Sequence, residues 1–105
     1  MSVSLMLHHR SRNEVREVPI ATEHGFPDGW LPVCQRLGLY LVPMFSGGAL
    51  TTVPANLLPT ITDELTLMRS ALNNDRDRAW IVEQIDAILA AFRETSPDEW
   101  EYSIG

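Results

Sequence analysis

The chain has 105 residues, 45% hydrophobic and 21% charged, a balance that fits one domain with its own core and excludes a disordered chain. Its net charge of −6 opposes nucleic-acid binding, because neutralising phosphates supplies most of that affinity. Residues 75–105 hold eight acids against three arginines, so the negative charge is concentrated toward the C-terminus.

Residues 2–9 alternate, with Val3, Leu5 and Leu7 on one face and Ser4, Met6 and His8 on the other, the period-two pattern of a half-buried strand. A polar turn over 10–13 leads to a second strand carrying Val15, Val18 and Ile20. It should be antiparallel to the first and lie at an edge, since Pro19 has no N–H for a ladder. Gly25, Pro27, Asp28, Gly29 and Pro32 mark residues 23–32 as a loop. A short helix over 29–37 follows, with Asp28 at its N-cap and Gly38 at its left-handed C-terminal position.

Residues 39–45 form an apolar run rich in strand formers and are expected to be an interior strand, interrupted by Pro43. Ser46, Gly47 and Gly48 then turn the chain, and residues 49–53 either return as a short strand or lead into the helices. Thr60 is placed to cap a helix whose stripe is Ile61, Leu65, Met68 and Leu72, ending at Asn73 and Asn74. Asp75 and Asp77 open a second helix with a wider apolar face of Trp80, Ile81, Ile85, Ile88, Leu89 and Phe92. So short a link predicts an antiparallel helical hairpin. Trp100, Tyr102 and Ile104 alternate with Glu99, Glu101 and Ser103 as a last strand.

The expected architecture is therefore α+β over residues 1–105. An antiparallel or mixed sheet of four or five short strands carries the C-terminal helical hairpin on one face, in the order β-β-α-β-(β)-α-α-β. No membrane span is expected, since the apolar stretch 37–50 is interrupted and shorter than the roughly 20 residues a spanning helix needs. His8, His9 and Arg10 follow the first apolar residues without a secretory pattern, so cytoplasmic residence is expected.

No motif has the spacing to force a chemistry. Cys34 is the sole cysteine, which rules out an internal disulfide or a cysteine-based zinc site, and its apolar neighbours make it a core residue. His8 and His9 point to opposite faces of a strand, so a three-ligand metal site would need His9, His24 and Asp28 to converge. The segment around Ser46 lacks both a nucleophile elbow and a phosphate loop. No catalytic residue, metal or cofactor is assigned on this basis.

Trp30, Trp80 and Trp100 are expected mainly as core anchors, with Trp100 the one most suited to exposure between Glu99 and Glu101. The sequence points to a small, acidic, non-enzymatic protein-binding module of the type that bacterial immunity or inhibitor proteins represent, with a basic protein partner. Asp86, Glu94, Asp98, Glu99 and Glu101 would steer that partner and Trp100 would anchor it. The alternative is a homodimer sharing the wide face of the last helix, around Ile85 and Phe92. A third reading is a small enzyme using the histidines and Asp28.

Overall fold

The computed structural model describes residues 2–47 and 50–105. Strands β1 (Val3–His9) and β2 (Val15–Ala21) form an antiparallel hairpin, and β3 (Trp100–Ile104) pairs antiparallel with the other side of β1, giving the order β2-β1-β3. The class is α+β as expected, but among the described residues the sheet has three strands, which corrects the expectation of four or five. Proline-bearing β2 lies at an edge. Trp100, Tyr102 and Ile104 turn the buried face of β3 toward the core beside Leu5 and Leu7 of β1.

Hydrogen-bond accounting explains the missing interior strand at residues 39–45. Helix α1 (Leu31–Leu37) ends at Gly38 with φ +69°, where the Gly38 N–H donates to the Gln35 carbonyl and the Leu39 N–H to the Cys34 carbonyl. This is a Schellman stop, and it consumes the first donor of the apolar run. The N–H groups of Tyr40, Leu41 and Val42 then donate to the carboxylate of Glu64, at 2.9 to 3.3 Å. Pro43 has no donor, and Val42–Ser46 winds as a short 3-10 helix. With its donors committed to the Glu64 side chain and to local carbonyls, among them Met44 N–H on Leu41, the run does not join a ladder.

Of the two expectations for residues 49–53, the described residues 50–53 form no return strand, while Gly48 and Ala49 lie outside the described residues. Val53 makes an isolated bridge, its N–H donating to the Tyr102 carbonyl at 2.8 Å, while the Ile104 N–H donates to the Leu50 carbonyl at 2.9 Å. Residues 50–53 thus cover the outer edge of β3 without extending the sheet, one of the ways a strand edge is shielded.

Helix α2 (Leu58–Ala71) starts two residues before Thr60, because the short turn Ala55–Leu57 feeds directly into it and Pro59 is tolerated in its first turn. Its stripe of Ile61, Leu65, Met68 and Leu72 is buried as the spacing predicts. Helix α3 (Ala79–Glu94) follows a 3-10 turn at Arg76–Arg78, which Asp75 caps by accepting the Asp77 N–H. Helix α3 lies against the sheet at β2, whereas α2 packs on α1 and α3, so the two long helices do not share the sheet face equally. Among the described residues no helix is long and apolar enough to cross a membrane.

The first helical segment begins earlier than Gly29. The Gly25 N–H donates to Thr22 Oγ1, and Phe26–Trp30 forms a wide π-type turn, closed by the Leu31 N–H on the Phe26 carbonyl, that runs straight into α1. Asp28 therefore sits inside the helical segment and is no N-cap. The glycines and prolines read as a loop are helical, since proline fits a first turn and the neighbouring packing rewards glycine.

Candidate functional site

Three of the five C-terminal acids meet arginines that the fold brings to them. The Asp86 carboxylate accepts from Arg69 of α2 at 2.6 and 3.3 Å, and this bond holds the Arg69 guanidinium above its ordinary pKa. Glu94 lies 3.5 Å from Arg16 of β2, and Glu101 accepts from Arg10 at 2.9 Å. Glu99 sits 3.5 Å from Nε2 of His9, whose Nδ1 accepts the N–H groups of Ser11 and Arg12. The carboxylate of exposed Asp98 has no hydrogen bond or ion pair among the described residues, and Glu99 faces only the His9 ring, whose Nε2 makes no hydrogen bond there.

Trp100 is buried, with 6% of its surface exposed and its ring set edge-on to His9 at 5.0 Å, which corrects its assignment as the exposed anchor. The alternation that made β3 a strand also turns this residue inward, toward the face that Leu5 and Leu7 share. The face named for the homodimer alternative is covered in part within the chain itself: Ile85 is fully buried, and the partly buried Phe92 packs against the core and Tyr102. His9, His24 and Asp28 do not converge either. His9 is engaged at the hairpin tip, and among the described residues no group of three His, Cys, Asp or Glu side chains is placed to hold a metal ion.

Trp80, in the first turn of α3, is the tryptophan that reaches solvent, with 39% of its surface exposed. Its benzenoid edge rests on Gly25 and Gly29, one helical turn apart on the same face. A Cβ at Gly29 would stand 2.7 Å from Trp80 Cζ2, and one at Gly25 would stand 2.8 Å from Thr22 Oγ1 and 3.4 Å from Trp80 Cη2. The glycines are thus required for contact rather than for backbone freedom. Their spacing of four was a signal available in the sequence, hidden there by the neighbouring prolines.

Beside the indole opens a cleft of about 460 Å³ lined by His24, Asp28, Asp77 and Arg78. Arg78 is occupied by Asp75 at 3.0 Å, whereas the carboxylates of Asp28 and Asp77 have no hydrogen bond or ion pair among the described residues. The cleft therefore combines a partly exposed indole with two unpaired carboxylates, a pairing that suits a cation through ring quadrupole and Coulomb attraction together. It offers no nucleophile or metal set. Cys34 is remote from this chemistry: burial, with a contribution from the charge of Glu64, pushes its thiol up to about 12, so it stays protonated at neutral pH.

No protein-family model matches the chain, and no curated protein or solved structure is significantly similar to it.

Proposed function

We propose that the chain is a non-enzymatic cytoplasmic module that binds a basic protein partner, with the Trp80 cleft as its contact centre in place of the C-terminal acids. The observation that carries this reading is the half-exposed indole held on two glycines beside the unpaired carboxylates of Asp28 and Asp77. A large aromatic with limited rotamer freedom, set at a cleft, is the usual anchor of a binding surface. The net charge of −6 favours encounter with a positively charged partner and speeds it at low salt.

The test is a photo-crosslinking amino acid placed at His24, on the rim of the Trp80 cleft, and separately at Glu99, in the full chain inside its native cells. Capture at position 24 of one basic protein, abolished by Asp28→Asn with Asp77→Asn, is the expected result. Equal capture from Glu99, or capture that survives loss of both carboxylates, would return the contact to the C-terminal segment or remove its electrostatic basis.

A further inference from the structure

The indole of Trp80 is a wall common to two clefts. On one side lies the acidic cleft of Asp28 and Asp77. On the other lies a second cleft of about 400 Å³, mostly apolar, lined by Pro19, Ile20, Ala21 and Gln84, with Gly25 and Trp80 shared between the two. Neighbouring recesses of opposite character, separated by one side chain, select two adjacent groups of opposite character on a ligand.

We infer that the site takes a two-residue element of an extended segment in its partner, an arginine followed by an aliphatic residue, with the backbone crossing over the Trp80 ring. This rests on the basic-partner reading above and narrows it. The guanidinium stacks on the indole and donates to Asp28 and Asp77. Arginine suits this position better than lysine because its planar group stacks and donates to two carboxylates at once. The aliphatic side chain enters the recess beside Pro19 and Ala21, at the end of β2. Along that strand Pro19 lacks an N–H donor, so side-chain pockets rather than added ladder bonds carry the recognition. Peptide amides in the segment can also accept from the Trp80 indole N–H, which makes no hydrogen bond among the described residues.

The experiment titrates three blocked peptides, Gly-Arg-Leu-Gly, Gly-Arg-Ser-Gly and Gly-Ser-Leu-Gly, into the ¹⁵N-labelled full chain and follows the three indole N–H signals. The Arg-Leu peptide should shift the Trp80 signal, leave those of buried Trp30 and Trp100 unmoved, and bind about tenfold more tightly than the Arg-Ser peptide, the effect of burying one aliphatic side chain. Asp28→Asn with Asp77→Asn should abolish both interactions, and Ala21→Phe, which fills the apolar recess, should reduce the Arg-Leu peptide to the level of the Arg-Ser one.

Equal affinity of the Arg-Leu and Arg-Ser peptides, both dependent on the two carboxylates, would overturn the paired motif while leaving the basic-partner reading standing. Preference for the Ser-Leu peptide would overturn the role of the acids. No shift of Trp80 with any peptide would overturn the inference outright, and cross-linking at position 24 would then decide the broader reading independently. The peptide comparison runs on the unaltered chain, so a variant that failed to fold would not rescue the idea.

Discussion

The two ends of α3 carry opposite arrangements of the same charge. At its C-terminal end, Glu94 and Glu101 meet Arg16 and Arg10 from the N-terminal hairpin, and Glu99 meets His9. At its N-terminal end, Asp28 and Asp77 face a cleft whose arginine, Arg78, is already held by Asp75. The tryptophans divide the same way, since Trp100 is enclosed where the acids are paired and Trp80 is open where they are not. Density of acidic residues along a chain is therefore a poor guide to surface potential, because cations from distant segments return to cancel it.

The largest test of this contrast is Trp100→Ala. Removing a fully packed aromatic should cost about 3–5 kcal/mol of stability, read by urea unfolding. If that cost were no greater than for Trp80→Ala, the two indoles would not differ as described. Next comes Gly29→Val, whose new side chain must displace the Trp80 ring. A loss of about 1–3 kcal/mol is expected, with a shift in Trp80 fluorescence. A neutral result would mean that the ring rests elsewhere.

Trp80→Ala itself should cost about 1–2 kcal/mol, since part of the ring is already in water, and should remove the tryptophan emission that acrylamide quenches most readily. Smallest is Glu101→Gln. Both partners of the Arg10 pair are substantially exposed, so about 0.2–1 kcal/mol is at stake, and salt should reduce it further. A double-mutant cycle with Arg10→Gln measures the pair directly. A coupling near zero would mean that the carboxylate is not compensated by Arg10 and that the acidic segment is more available than the geometry indicates.

Much of the fold was legible because it is local. Alternation in residues 2–9 and 99–105 and the stripe of Ile61, Leu65, Met68 and Leu72 reflect backbone periodicity, which a few consecutive residues express. Gly38 was legible for the same reason, since a left-handed residue after a helix favours glycine. The segment 39–45 was misread because its composition favours a strand, while its donors are taken by Glu64, more than twenty positions away. Nothing local to Glu64, inside an amphipathic helix, marks it for this role. Its burial against three backbone N–H groups is set by how α2 lies across the end of α1.

By itself, the sequence determined the α+β class, the N-terminal pair of strands, the two long helices and the last strand, and which face of those elements is apolar, but not the number of strands in the sheet. Each of those follows from torsional preference and side-chain period over a handful of neighbours. Which charges cancel, which tryptophan meets solvent, and where a cleft opens were decided by tertiary structure alone. Those properties depend on distances between atoms far apart in the chain, and burial and Coulomb energies respond to such distances rather than to sequence spacing.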